Sequence, residues 1–460
     1  VSGDDAAIAS FVCCIEKEMP QGAFVLSVKV EDVEKDISNE SCFTNIDSKE
    51  IDLSSELPVF LPDIGICEEC TKELLDKRDR RYRYPLISCA ICGPRFSITD
   101  RLPYDRQTTT MSVFDMCPDC NREYSLGRIH YAQTISCHSC GPQMKYLQNN
   151  GNKTPVFDRE DAVSAAAKDL KEGGIIALKG VSGYQLICKP ECEPARKLRE
   201  IKGRENKPFA IMFSTTEHAG EYAYVSPKES KLLNSLARPI VLLKKKHVFP
   251  EEVDKNSRYI GAFLPSAGIH RLLCDEVGPL IVTSGNISNE PIIYKDEDVL
   301  EKLQGLSGVL YHERAINLGQ DDSVVFVVSC ENGEYAQFIR RARGYAPLPF
   351  VIDGHEEFEK VSECIMACGG DLKSTISFAK KDKILTTHYI ADLKNELSSI
   401  GYYKSIAEIY EQLFSIKPDV IVSDLHPGYV SSFVANKLAG EQLKLQHHFA
   451  HTIQSWRKTA

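Results

Sequence analysis

Eight of the seventeen cysteines fall into four Cys-x-x-Cys pairs: Cys67/Cys70, Cys89/Cys92, Cys117/Cys120 and Cys137/Cys140. The intervals between pairs are 18, 24 and 16 residues, and Gly-Pro follows the second and fourth. Each pair is a tight turn that presents two thiolates to one cation, and two turns complete a tetrahedral four-sulfur site. The pattern predicts two tandem structural zinc modules. Sequence proximity assigns Cys67, Cys70, Cys89 and Cys92 to one ion and Cys117, Cys120, Cys137 and Cys140 to the other, with ligation across modules left open. The competing reading is four disulfides in a secreted protein. Nine further cysteines scattered through apolar stretches favour a reducing compartment instead, and the expected location is the cytoplasm.

Three basic stretches carry a second kind of chemistry. Lys202, Arg204 and Lys207 lie between a helical segment and the apolar run Phe209–Phe213, a placement at a strand edge that suits a nucleotide triphosphate, with arginine as a fork and lysines as point charges. Thr283-Ser284-Gly285-Asn286-Ile287-Ser288 follows the apolar run Leu280–Val282, where a small-residue turn lets backbone N–H groups approach an anion. Arg340-Arg341-Ala342-Arg343-Gly344 closes a later strand and reads as a phosphate clamp. Taken singly, each stretch is also a plain charged loop or tight turn. Together they predict a concave ATP site on a protein of net charge −10.

The elements that must position these residues read as α/β. A helix over 161–172 leads to the strand Ile175–Leu178, a helix over 194–201 leads to Phe209–Phe213, and strands follow at 240–243, 280–283, 321–328 and 338–343. Strands outnumber helices, which predicts a mixed sheet. A second α/β unit begins near 362, with a helix over 398–414 and the strand Asp419–Ser423. The cysteine region shows little hydrophobic periodicity, so metal is expected to supply its folding energy. Residues 1–34 read as a helix over 6–18 and a strand over 24–30, and 35–61 as a linker. The chain starts Val1-Ser2-Gly3 and stops soon after a histidine motif, so both ends are expected to be cut. No apolar run approaches the roughly 20 residues of a bilayer span, and the acidic balance argues against a nucleic-acid coat.

With these residues in view, the chain resembles the HypF family, carbamoyltransferases that mature [NiFe] hydrogenases. Lys202–Pro208, Thr283–Asn286 and Arg340-Arg341-Ala342-Arg343-Gly344 look like a YrdC-type nucleotide domain. The doubled Cys-x-x-Cys region before it and Met366-Ala367-Cys368-Gly369-Gly370-Asp371-Leu372-Lys373-Ser374-Thr375 after it stand in the family's order. Further matching stretches are Ile175–Gly183, Asp321–Val324, Asp424–Pro427 and Gln446–His451. The resemblance implies a multidomain α/β fold: the end of an acylphosphatase-like domain (1–34), a linker (35–61), two small four-cysteine zinc modules (62–147), a YrdC-like mixed sheet domain (155–352) and a partial sugar kinase-like lobe (360–460).

It implies an activity as well. Carbamoyl-adenylate is made from ATP, taken as its magnesium complex, and carbamate derived from carbamoyl phosphate. The carbamoyl group then passes to the C-terminal cysteine of a HypE-like acceptor. Carried over, Lys202, Arg204 and Lys207 hold phosphates, Ser284 and Asn286 position nucleotide or carbamate, and Thr283, Arg341 and Arg343 complete the clamp. Gly369, Gly370, Asp371 and Lys373 form a phosphate turn of the kinase-like fold. His447 and His451, spaced i, i+4 on one helical face, hold iron or another divalent metal, and Asp424 and His426 either support those ligands or touch substrate.

The sequence departs from the family at Ser182-Gly183-Tyr184-Gln185, at Leu318-Gly319 and at Phe449, which replaces a middle histidine. Two other readings compete. A threonylcarbamoyl-adenylate synthase of tRNA modification shares the nucleotide domain. A non-catalytic zinc ribbon would bind RNA through the basic run Lys77–Tyr84.

Overall fold

The computed structural model describes residues 4–19, 22–25, 30, 57–149, 155–287, 290–331, 333–352, 361–393 and 396–456. Most of the strand expected at 24–30, most of the 35–61 linker and the joint after Asn149 lie outside the described residues. The first helix forms over Asp5–Lys17, capped by Asp4, whose carboxylate accepts from the Ala7 N–H at 2.8 Å.

Among the described residues an eleven-stranded mixed sheet forms the centre of the molecule. Its strands are β1 (Met144–Gln148), β2 (Val156–Asp158), β3 (Ile176–Lys179), β4 (Tyr184–Cys188), β5 (Ala210–Met212), β6 (Ile240–Lys244), β7 (Tyr259–Phe263), β8 (Leu280–Ser284), β9 (Gly308–His312), β10 (Val324–Cys330) and β11 (Gly333–Arg340). They lie in the order β11-β10-β6-β7-β5-β8-β4-β3-β9-β1-β2. The pairs β3/β9, β5/β7 and β6/β10 are parallel and the rest antiparallel. Strands β1, β2, β4, β7 and β9 lie outside the strands expected from the sequence. The sequence reading has Tyr184–Gln185 only within a departure from the family pattern, and Gly261 interrupts the apolar run of β7.

Period-2 alternation divides the core between the two faces of the sheet. Ile176, Leu178, Met212 and Val282 point to one face, while Ala177, Ile211 and Ile281 point to the other. On the second face lie the helices Cys192–Lys202 and Pro227–Asn234. On the first lie the helices Arg159–Lys171 and Gly268–Val277, together with both cysteine modules. Ile64, Ile66, Leu74, Tyr84, Ile87 and Ile135 of the cysteine region share this cluster. Metal is therefore not the sole source of folding energy there, which corrects the expectation from the sequence. The apolar residues lack periodicity because all but Leu74, on the short helix Glu68–Leu75, pack from loops. The strand β1 likewise binds the end of the cysteine region into the sheet, pairing with β9 over five residues.

The second unit has a six-stranded sheet. Its strands are β12 (Phe350–Val351), β13 (Ile365–Ala367), β14 (Ser377–Lys380), β15 (Lys383–Thr386), β16 (Val420–Asp424) and β17 (Glu441–Leu445), in the order β12-β15-β14-β13-β16-β17. The helix Glu396–Leu413 covers it. Its core is continuous with the rest: Phe60 and Phe96 of the cysteine region meet Tyr410 and Phe414, with ring centroids 5.4–6.3 Å apart. Among the described residues no helix is long and apolar enough to cross a membrane.

Candidate functional site

The two cysteine clusters are fully assembled. In the first, Cys67–Cys89 and Cys89–Cys92 sulfurs are 3.7 Å apart and Cys92–Cys70 3.5 Å. In the second, Cys117–Cys137 and Cys137–Cys140 are 3.8 Å apart and Cys140–Cys120 3.6 Å. A disulfide would place sulfurs at about 2.05 Å. Four sulfurs each about 2.3 Å from a zinc ion form a tetrahedron with edges of about 3.8 Å. The donor set and its spacing fit zinc, and ligation stays within each module. The basic run beside the first module is spent internally. Arg78 pairs with Asp76, Arg80 and Arg81 share Glu123, and Arg83 pairs with Glu160 and Glu276. These pairs reduce the free positive charge available to the RNA reading.

The three basic stretches line a single cavity of about 500 Å³. Six basic side chains face it: Lys202, Arg204, Lys207, Arg340, Arg343 and Lys373. Four acidic ones, Glu290, Asp321, Asp322 and Asp392, partly balance them. Its volume lies within the usual range for small-molecule sites. The rest of the wall is mixed, with apolar Ile240, Leu242 and Val324 and polar Gln185, Thr283, Ser284 and Asn286.

Lys202 is the last residue of its helix and is buried, with Gly203 closing the helix in the left-handed region at φ 57°. It therefore does not stand at an open strand edge. Its Nζ donates to Ser284 O at 2.6 Å, Asn286 O at 2.7 Å and Asn286 Oδ1 at 2.8 Å. Burial pushes its pKa down to about 7. The three acceptors match the three hydrogens of an ammonium. Lys202 thus holds the turn after β8. Arg204 donates to Thr283 Oγ1 at 3.1 Å and lies 4.9 Å over the Phe209 ring. Burial draws its pKa to about 10.

The turn itself is built by close approach. A Cβ on Gly285 would meet Tyr184 O at 2.8 Å, and the Gly285 N–H donates to that oxygen at 2.7 Å. The Asn286 N–H goes to Ser284 O at 3.1 Å. These amides are committed to the turn, so the expected backbone cradle for an anion is not made by them. Ser284 Oγ instead donates to Asn286 Oδ1 at 2.8 Å.

The arginines at the end of β11 and just beyond it divide between the cavity and the second unit. Arg340 lines the cavity, donating to Asp322 O at 2.8 Å and lying 5.3 Å over the Tyr389 ring. Arg341 turns away. Its guanidinium donates to Thr386 O at 3.1 Å, Tyr345 O at 2.9 Å and Leu348 O, and stacks on Phe350 at 4.7 Å. Arg341 joins the two units rather than clamping phosphate, and Arg340 takes the place expected for it.

Arg343 pairs with Asp322 at 2.6 Å. From there a buried chain runs through Gln185, which donates to Asp322 Oδ2 at 3.1 Å and lies 2.7 Å from His270 Nε2. His270 Nδ1 in turn lies 3.1 Å from Ser266 Oγ. The reading from sequence marked Gln185 only as a departure and gave Asp321, Asp322, Tyr389 and Asp392 no role at the site. The acidic pair at 321–322 beside a strand start was the available signal.

The second unit splits what the sequence read as one turn. Asp371 accepts from Val430 N at 2.9 Å and Ser431 N at 3.0 Å, closing the start of the helix Val430–Ala435. Gly369 has φ +62°, and a Cβ on Gly370 would stand 3.5 Å from His447 Cε1. Lys373 instead reaches the nucleotide-sized cavity, where its backbone N–H donates to Asp392 at 2.8 Å. His447 Nδ1 lies 2.7 Å from Asp424 Oδ2, and His447 and His451 bring their Nε2 atoms within 3.1 Å. Two nitrogens each about 2.1 Å from one ion are roughly 3.0–3.4 Å apart, and a carboxylate behind a ligand histidine fixes its orientation. The 3.1 Å contact is also that of a hydrogen bond between two imidazoles. His426 lies beside it, stacked on Tyr429 at 4.4 Å.

Three protein families match the chain: HypF finger over 66–99 and 116–147, Telomere recombination over 168–342, and HypF Kae1-like domain over 360–456. Carbamoyltransferase HypF of Synechocystis sp. is 35% identical over 458 residues, covering 98% of this chain and 58% of that protein. Probable carbamoyltransferase HypF of Methanocaldococcus jannaschii is 35% identical over 460 residues, with the same two coverages. The crystal structure of full-length HypF in the phosphate- and nucleotide-bound form matches with TM-score 0.89 and 38% identity, over 98% of this chain and 57% of that one. A shorter similarity links 28% of the chain to threonylcarbamoyl-AMP synthase of Homo sapiens, at 30% identity over 140 residues.

Proposed function

The chain belongs to the HypF family and spans 50–58% of the length of its curated HypF relatives, and from that premise we propose that its central cavity forms carbamoyl-adenylate. The observation that carries the reading is the convergence of three separated basic stretches on one hollow of about 500 Å³. A carbamate oxygen attacks the α-phosphorus of ATP, the bond to the β-phosphate oxygen breaks, and pyrophosphate leaves with its electron pair. Such a displacement needs positioning and cationic stabilisation rather than a covalent intermediate. Arg204, Lys207, Arg340 and Arg343 supply the charge. Lys202 keeps Ser284 and Asn286 in register for the nucleotide or carbamate. Magnesium enters with ATP.

The carbamoyl group then goes to the C-terminal cysteine of a HypE-like protein, with the second unit contributing to transfer. A divalent metal held by His447 and His451 and oriented by Asp424 would supply positive charge beside the Gly369–Asp371 turn.

ATP–pyrophosphate exchange tests the reading. Exchange should require carbamate or carbamoyl phosphate. Exchange driven instead by threonine with bicarbonate would favour the synthase reading, which the similarity to threonylcarbamoyl-AMP synthase supports. Absence of exchange under every condition would refute both.

A further inference from the structure

Both cysteine modules open with the same pattern, Cys-x-x-Cys-x-x-Glu, at Cys67–Glu73 and Cys117–Glu123. In each, the first cysteine starts a helix, Glu68–Leu75 or Pro118–Tyr124, and the glutamate stands a turn beyond the second cysteine. The partner of each glutamate comes from the other module. Arg80, between the two ligand pairs of the first module, crosses to the second. There Nη1 lies 2.8 Å from Glu123, and Nη2 lies 3.3 Å from Cys137 Sγ, 3.5 Å from Cys120 Sγ and 3.6 Å from Cys117 Sγ. Arg128, between the ligand pairs of the second module, crosses back. It pairs with Glu73 and donates to Cys70 Sγ at 3.4 Å.

Four thiolates around a divalent ion leave two net negative charges, and a guanidinium N–H aimed at thiolate sulfur makes a charge-assisted hydrogen bond. Each arginine lies on the loop that its own module's metal closes. It can reach the neighbouring sulfurs only when that loop is folded.

We propose that the two zinc sites form a cooperative pair, each thiolate cluster stabilised by the arginine that the other module presents. Loading either site places the arginine that favours loading the second. The modules therefore fill and empty together.

The test is native mass spectrometry of the whole zinc-loaded chain equilibrated with a competing chelator at half depletion. Two independent sites, equal or unequal, give a one-zinc species of about one half or more of the population. Positive coupling pulls it below one half. The expected result is a one-zinc share well under half for the unaltered chain, which needs no variant to fold. Arg80→Gln and Arg128→Gln should each return the share toward half and speed zinc transfer to the chelator by about tenfold, the loss of one hydrogen bond to a charged group. A one-zinc share of half or more in the unaltered chain would overturn the proposal. So would transfer rates in both variants within about twofold of the original.

Discussion

Replacing Lys202 by methionine separates two accounts of this residue by the sign of a stability change. Methionine nearly matches the volume and keeps the aliphatic stem, but removes the three donors that now satisfy Ser284 O, Asn286 O and Asn286 Oδ1 at 2.6–2.8 Å. Hydrogen bonds from a charged donor contribute roughly 1.5–3 kcal/mol each, and relief of the buried charge offsets part of the sum. The net expectation is a loss of about 2–4 kcal/mol, or roughly 5–10 °C in Tm for a unit of this size. The freed turn carries Ser284 and Asn286. A displacement of about 1 Å there should lower kcat/KM for ATP-dependent pyrophosphate exchange on the order of 100-fold. Thermal melting and the exchange assay read both quantities on the same preparation. A lysine stored for a ligand's phosphates behaves in the opposite way. Burial already pushes its pKa down to about 7, so methionine would relieve that cost and raise Tm while exchange was lost. A Lys202→Met chain that melts at or above the original temperature refutes the account of Lys202 as the turn's anchor.

The division between Arg340 and Arg341 gives a paired prediction. Arg340→Met should raise the KM for ATP about tenfold with little change in melting. Arg341→Met should leave KM within about twofold and lower stability by about 1–3 kcal/mol, because three carbonyl oxygens lose their donor. Elemental analysis should return about two zinc per chain, and one or none would contradict the paired four-sulfur sites. Acid should destabilise the fold through its buried histidines. Burial lowers His270 to about 4 and His388 to about 3, so both are neutral in the fold, whereas an unfolded histidine binds a proton below about 6.5. The unfolded state therefore holds more protons below pH 6.5, and stability falls as pH drops from there toward 4 and 3. Melting followed from pH 8 to 4 should show that decline, and His270→Gln should flatten its upper part.

How legible the site was in the sequence depended on how local each feature is. The zinc ligands were legible because two thiolates three residues apart on a tight turn form a half-site whatever surrounds them. The strands β3, β6 and β8 were legible as apolar runs, whereas β1, β2, β9 and glycine-bearing β7 were passed over, as was β4, whose Tyr184–Gln185 was noted only as a departure from the family. The basic stretches were legible as anion-binding chemistry, but their individual duties were not. Lys202 looked like a phosphate ligand because sequence shows charge and hides burial. Arg340 ends β11 and faces the cavity while Arg341 just beyond it turns to the second unit, a distinction that a row of arginines conceals. Gly369–Lys373 read as one turn, and the fold sends Asp371 to a helix start and Lys373 to the other unit's cavity.

By itself the chain of residues determined the kind of ion each cysteine module takes, the mixed α/β class and the family. Those follow from short-range spacing and from motif order, which survive any arrangement of the parts. Tertiary structure alone decided which members of the three basic stretches face the hollow, Arg340 and Arg343 but not Arg341, that Lys373 and Tyr389 of a separate unit help to wall it, and that Arg80 and Arg128 exchange places between the modules. Each is a contact between segments tens of residues or more apart, set by how sheet, helices and loops pack together. No local pattern encodes a distance across a fold.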